Sequence, residues 1–385
     1  MLINQRTVSI HDNKVDGLLS ATEYIKKGIK SDVKFFWNHD IFSEFDKSLL
    51  GKISLQNLYK ERAQMLRDKY DYLILYYSGG SDSNNVLKTF LDNNIKLDCV
   101  YVKWPFKIIG KGIYTPNTID RTAKNFLSEW DYALKPDLEY LQKNHPEIKI
   151  ELVDWLDYAD DDSLISDDRF ATQNHRHSAV NLLRMAAFSP YEKKLRDKGK
   201  KVAAIWGIDK PQIGIRNNQV GMYFRDDLIH SCRAIDGFDP HLEFFYWTPD
   251  MPLLTYEMAY QTFLYFDQNS HLRSLIDLDA SKFKEKNQIQ MEYAVFEHIT
   301  RQVCYAKWDF TKFQAGKPTH AYIRDKDWFF YDTGNYEYIV KKWEYLYSSY
   351  LKSIDIKFLE TGINQEPTGY KPIRSPFYFL GEFTS

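Results

Sequence analysis

Tyr72-Leu73-Ile74-Leu75-Tyr76-Tyr77-Ser78-Gly79-Gly80-Ser81-Asp82-Ser83 is the stretch on which the fold turns. Its first half is a short, unbroken apolar run ending in Ser-Gly-Gly, the pattern of a strand covered on both faces. Beyond the glycines, Val86 and Phe90, with Leu87 and Leu91 beside them, form two i,i+4 rows that Asp92-Asn93-Asn94 interrupts. This reads as a short helix returning along the strand. The next apolar run, Leu97-Asp98-Cys99-Val100-Tyr101-Val102, completes a βαβ unit, and such a unit implies a parallel pair.

The same grammar extends in both directions. Upstream, SLQNLYKERAQMLRDKY predicts an amphipathic helix with Ser54 as N-cap and Leu55, Leu58, Tyr59, Arg62, Ala63 and Leu66 on one side. Downstream, a helical stretch over 119–143 leads to Ile148–Val153. Another over 176–198, with Val180, Leu183 and Ala187 on one face, leads to Val202–Trp206. Four strands alternating with helices predict an α/β fold with a doubly wound, mostly parallel sheet. Past residue 210 the style changes. Gly214–Gly221 reads as a hairpin turning at Asn217-Asn218, and aromatic-rich helical stretches follow. The expected organisation is an N-terminal arm or subdomain over 1–53, an α/β domain over 54–210, and a mainly helical domain over 211–385.

Composition narrows the function classes. In 385 residues, 51 Lys and Arg face 53 Asp and Glu, so no whole-chain field exists to hold a polyanion or an anionic membrane. Nucleic acid binding is therefore unsupported, though not excluded. No apolar run approaches a membrane span, and the opening residues lack the layout of a secretory signal, so the expected location is cytoplasmic. The three cysteines, Cys99, Cys232 and Cys304, are too far apart for a C-x-x-C site and read as packing residues.

The chemistry is concentrated in Ser78–Ser83. Adjacent glycines let the backbone turn tightly and approach a ligand, and the hydroxyls of Ser78, Ser81 and Ser83 add short donors. The following helix offers unpaired N–H groups and the positive end of its dipole, which together suit a phosphate. Asp82 beside a phosphate calls for Mg²⁺ to bridge the two negative groups. The plainer alternative is a Ser/Gly-rich turn with Asp82 as a cap.

Ser78-Gly79-Gly80-x-Asp82-Ser83 resembles the SGGxDS pyrophosphate loop of the N-type ATP pyrophosphatases, the PP-loop superfamily that includes asparagine synthetase, GMP synthetase, NAD synthetase, β-lactam synthetase and tRNA lysidine synthetase. The resemblance covers about residues 70–210. It implies that the loop holds the β- and γ-phosphates of ATP and that Asp82 binds Mg²⁺. It further implies adenylation of a carboxylate or carbonyl oxygen with release of pyrophosphate, and attack by ammonia or an amine. The second metal-binding aspartate of asparagine-synthetase-like members corresponds to Asp209 in Trp206-Gly207-Ile208-Asp209, where the family's Gly-x-Gly-x-Asp-Glu is shortened. Adenine recognition by backbone falls on Val102 and Lys103. With no cysteine before Cys99, an N-terminal-cysteine glutaminase is not expected, and isolated Cys304 argues against sulfur transfer.

Further candidates surround this centre. Arg176 and His177, with Arg184 two turns on, sit at an expected helix start where they could clamp phosphates, and a solvated helix start explains them equally well. Lys210, Arg216 and Lys317 are candidates to neutralise charge at phosphorus or on the leaving pyrophosphate. The aspartate-rich stretch 154–168 lacks calcium-loop spacing and reads as a solvated loop. The aromatic clusters Phe244–Trp247 and Trp328–Tyr331 read mainly as packing. The functional expectation is an ATP-dependent, AMP- and pyrophosphate-forming ligase acting on an unidentified small-molecule or nucleotide acceptor. The alternatives are a PP-loop enzyme that modifies a nucleic acid base or nucleotide, and a non-catalytic nucleotide-binding module.

Overall fold

The computed structural model describes residues 7–10, 13–16, 34–35, 38–104, 106, 130–154, 190–207, 210–216, 219–226, 242–276, 286–309 and 373–384. Its centre is a five-stranded parallel sheet built from β4 (Tyr72–Tyr76), β5 (Cys99–Trp104), β6 (Lys149–Asp154), β7 (Val202–Trp206) and β11 (Leu242–Phe244), in the order β11-β7-β4-β5-β6. Tyr76 lies opposite both Tyr101 of β5 and Trp206 of β7, which fixes the register of the central strands. The chain lays β5 and β6 on one side of β4 and then returns to place β7 on the other. The strand order therefore reverses between β4 and β7, and in open α/β sheets the crevice at such a reversal is where ligands bind.

Strand alternation splits the core in two. Leu73, Leu75, Tyr77, Val100, Val102, Ala203 and Ile205 point to one side, where they meet α2 (Leu55–Lys69), α3 (Ser81–Asp92) and α4 (Lys135–Asn144). Ile74, Tyr76, Cys99, Tyr101, Val202 and Ala204 point to the other. There they meet α5 (Pro190–Asp197), through Tyr191 and Leu195, and an antiparallel sheet of β8 (Gln212–Arg216), β9 (Gln219–Tyr223) and β13 (Tyr378–Glu382), ordered β13-β9-β8. The six residues expected on the buried side of the first amphipathic helix are its buried residues, and Ser54 Oγ accepts the N–H of Asn57 at 3.3 Å as its cap.

The expected hairpin forms, with Arg216 opposite Gln219 across the two residues Asn217 and Asn218. The parallel sheet does not stop at 210, because its fifth strand comes from 242–244, a segment expected to belong with the helices. Three residues are too few to show an apolar run or an alternation. What fixes β11 in place is non-local: fully buried Glu243 receives Arg62 and Lys69 of α2, each at 2.8 Å. α6 (Pro252–Gln268) sends Leu254 and Met258 into the first core and Tyr256, Ala259, Phe263 and Phe266 into the second. A helix covered all round in this way belongs to the interior. α7 (Lys286–Cys304) packs against it, and Phe42 of α1 (His39–Ser43) inserts between Phe224, Trp247 and Tyr378. Two further small sheets are β2-β1-β3 (Asn13–Asp16, Thr7–Ile10, Lys34–Phe35) and β10-β12 (Arg225–Asp226, Ile373–Arg374).

Candidate functional site

The loop after β4 emerges at the C-terminal edge of the sheet beside the segment after β7, at the reversal of strand order. Gly79 adopts φ +73, a conformation that side chains rarely allow, and a Cβ there would lie 3.1 Å from Ala133 Cβ and Leu134 Cγ. The loop thus runs tightly beneath the π-helical turn Trp130–Leu134 that leads into α4. Gly80 is the N-cap of α3, with no side chain to cap it, and its carbonyl accepts the N–H of Asn84 at 2.9 Å to begin the helix. Ser83 Oγ donates to the Gly80 carbonyl at 3.1 Å and accepts the Ser78 N–H at 3.3 Å, closing the loop across its base. The first turn of a twelve-residue helix is left without a side-chain cap, the arrangement in which helix N–H groups and the positive dipole end favour an anion.

Both stems of the loop are anchored to the first turn of α4. The Tyr77 hydroxyl donates to Asp137, and Asn84 Nδ2 donates to the Tyr77 hydroxyl at 2.9 Å and to Asp137 Oδ2 at 3.0 Å. From the other side Gly207 closes on the helix start. A Cβ at Gly207 would stand 2.9 Å from Ser83 N and 3.0 Å from the carbonyl carbon and oxygen of Asp82, so only a glycine fits without moving backbone.

Asp82 is held at both its backbone and its side chain. Its carbonyl accepts the Tyr246 hydroxyl at 2.7 Å, and its Oδ1 accepts the Tyr305 hydroxyl at 2.7 Å and Lys210 Nζ at 3.4 Å. Lys210 also reaches Glu297 Oε2 at 2.9 Å, and Arg301 Nη2 lies 3.7 Å from the same oxygen. Asp82, Lys210, Glu297 and Arg301 form a chain of alternating charge with no net charge. Burial alone would raise the Asp82 carboxyl, but Lys210, the Tyr305 hydroxyl and Arg301 outweigh it and hold it below the usual carboxylate value. Glu297 is lowered in the same way, against its burial, by Lys210 and Arg301. Lys210 would be lowered by burial, and Asp82 and Glu297 instead raise it, so it is a cation at neutral pH.

No protein-family model matches the chain, and no curated protein matches it. The site therefore stands on its own geometry.

The structure brings together Ser78, Gly79, Gly80, Ser81, Asp82, Ser83, Gly207 and Lys210 among the expected residues. Val102 and Lys103 lie inside β5, paired with Leu152 and Val153 of β6, whereas the strand runs on to Trp104. The Val102 side chain is fully buried in the core, and Lys103 Nζ stands 5.1 Å over the Tyr76 ring on the opposite face. Arg216 ends β8. Asp209, Arg176, His177, Arg184, Lys317 and the acidic stretch beyond Asp154 lie outside the described residues. Four groups were not read from the sequence: Tyr246, Glu297, Arg301 and Tyr305. The last three recur at i, i+4 and i+8 along α7 and just past its end, a one-sided spacing that marks a shared face.

The residues fit a phosphate at the uncapped helix start. Among the described residues no group of three or more His, Cys, Asp or Glu side chains could hold a metal ion. Mg²⁺ demands less, since waters and phosphate oxygens supply most of its ligands and one or two carboxylates suffice. Asp82, its side chain 37 % exposed, provides one such carboxylate. No helix among the described residues is long and apolar enough to cross a membrane.

Proposed function

We propose that this chain is an ATP-dependent ligase of the PP-loop type, forming AMP and pyrophosphate as it activates a carboxylate or carbonyl substrate for attack by ammonia or an amine. The observation that carries this reading is the uncapped start of α3, reached through the Gly79 turn and pressed against Gly207 where the strand order reverses. The N–H groups of Ser81, Asp82 and Ser83 would bind the β- and γ-phosphates, with the hydroxyls of Ser78 and Ser81 beside them. Asp82 would hold Mg²⁺, which when bound offsets the charge of the departing pyrophosphate. Lys210, nearly buried and cationic beside Asp82, would stabilise charge on the phosphates.

In the step itself, a substrate oxygen forms a bond to the α-phosphorus while the bond from that phosphorus to the α,β-bridging oxygen breaks, and its electron pair leaves with pyrophosphate. The nitrogen nucleophile then displaces AMP from the acyl or imidoyl carbon and gives up a proton. The task of the protein is to position the reacting atoms and to offset charge. Incubation with α- and γ-labelled ATP and a panel of carboxylate and carbonyl acceptors tests the reading. AMP and pyrophosphate in equal amounts, dependent on acceptor, support it; ADP and phosphate contradict it.

A further inference from the structure

Lys210 stands between two carboxylates on different parts of the chain. One is Asp82, at the start of α3; the other is Glu297, on α7. Lys210 is 9 % exposed and Glu297 12 %, so water screens this pair poorly, while Asp82 at 37 % is partly exposed. Arg301, one turn further along α7, gives Glu297 a second cation, which keeps that carboxylate charged whichever way the lysine leans.

The distances are unequal, with 2.9 Å to Glu297 and 3.4 Å to Asp82. The ammonium group is seated on Glu297 and leans on Asp82. Tyr305 holds the same Oδ1 oxygen from the side, so Asp82 does not depend on the lysine for its orientation.

We propose that Glu297 is a positioning residue for this site: it retains the Lys210 ammonium when a divalent cation displaces that lysine from Asp82, and so holds it beside the loop. This rests on the reading of Asp82 as a cation-binding carboxylate. It goes beyond that reading in assigning Glu297 and in making Lys210 the internal competitor of the metal. A divalent cation on either oxygen of Asp82 would stand within a few ångströms of the Lys210 ammonium, and like charges at that separation repel, so cation entry and lysine retreat are coupled. If Glu297 were absent, the lysine would lean wholly on Asp82 and resist the metal more strongly.

The test is Mn²⁺ binding to the full chain saturated with α,β-methylene-ATP, whose phosphates complete the ligands of the ion, followed by electron paramagnetic resonance of the bound ion, in wild type, Asp82→Asn, Lys210→Met, Glu297→Gln and the double variant Lys210→Met/Glu297→Gln. Lys210→Met should bind Mn²⁺ about tenfold more tightly, because the competing charge has gone. Glu297→Gln should bind it about threefold to tenfold more weakly, and this loss should vanish in the double variant, where no lysine remains to be held. The double variant replaces the pair by near-isosteric neutral side chains, and circular dichroism confirms that it folds should Glu297→Gln alone not fold. The proposal is overturned if Lys210→Met weakens Mn²⁺ binding, if Glu297→Gln leaves it unchanged, or if the double variant binds Mn²⁺ more weakly than Lys210→Met, since Glu297 would then act on the ion directly. Unaltered binding in Asp82→Asn would instead overturn the reading of the loop itself.

Discussion

Substituting Gly207 by alanine tests whether the close approach of two backbones builds the site. The added Cβ would stand 2.9 Å from Ser83 N and 3.0 Å from both atoms of the Asp82 carbonyl. Ordinary carbon contacts begin near 3.4–3.5 Å, so the first turn of α3 and the end of β7 must part by about 0.5 Å. Because the obstructing atoms are backbone, no rotamer change relieves them, and overpacking of this kind costs about 1–3 kcal/mol. The same displacement shifts the N–H groups of Ser81, Asp82 and Ser83 relative to the turn at Gly79. Since small misplacements at a reacting centre are amplified, turnover should fall by about tenfold to a hundredfold.

Gly199→Ala provides the matched control. Gly199 has φ +76 and nothing within 4 Å of the position a Cβ would take. Its alanine variant should lose about 1–2 kcal/mol through backbone strain alone and leave nucleotide binding intact. Thermal melting gives the stability loss of each variant, and calorimetric titration with ATP and Mg²⁺ gives the affinity. A Gly207→Ala protein that folds and binds ATP as wild type does would refute the reasoning, as would equal losses of affinity in both variants.

Asp82→Asn should abolish AMP and pyrophosphate formation while the circular dichroism spectrum stays that of wild type; full activity would remove the metal-binding role. Arg62→Met should destabilise the fold by about 3 kcal/mol in urea unfolding, because it leaves the Glu243 carboxylate short of a buried partner at 2.8 Å; a loss under 1 kcal/mol would contradict this. Acid sensitivity follows from Glu243, whose carboxyl burial would raise but which Arg62, Lys69 and the Tyr70 hydroxyl hold below its ordinary value of 4.5. A carboxyl depressed in the folded state adds stability that is complete above about pH 4.5 and is lost as pH falls through the folded value. Stability should therefore decline on acidification, and Glu243→Gln should flatten that decline, with Asp82 and Glu297 supplying the remainder in the same direction.

The parallel core was legible in the sequence because each of its interior strands must be apolar on both faces, and Tyr72–Tyr77 and Val202–Trp206 carry that requirement locally. The glycine turn was legible for a similar reason, since φ +73 at Gly79 limits the residue types that can stand there. β11 was not, because Leu242–Phe244 is defined by what α2 presents to it rather than by its own pattern. The partners of Asp82 were hidden for the same cause at longer range. Tyr246 and Tyr305 lie 164 and 223 residues away from it in the chain, and their hydroxyls gain meaning only once β11 and α7 are in place beside the loop. Aromatic residues in Phe244–Trp247 read as packing, and most are; the hydroxyl of Tyr246 is what sets it apart. Strand ends are set less sharply by sequence than strand interiors: β5 continues two residues beyond Val102, to Trp104, so Lys103 stands next to its end.

The proposed function requires the uncapped first turn of α3 to hold the outer phosphates of ATP and to leave the α-phosphorus exposed to attack. A crystal structure with α,β-methylene-ATP and Mg²⁺, in which the scissile bridge cannot break, tests it most directly. The β- and γ-phosphates should lie within hydrogen-bonding distance of the Ser81, Asp82 and Ser83 N–H groups, with the metal on Asp82. Triphosphate bound anywhere else on the chain, with that helix start in contact only with solvent, would contradict it.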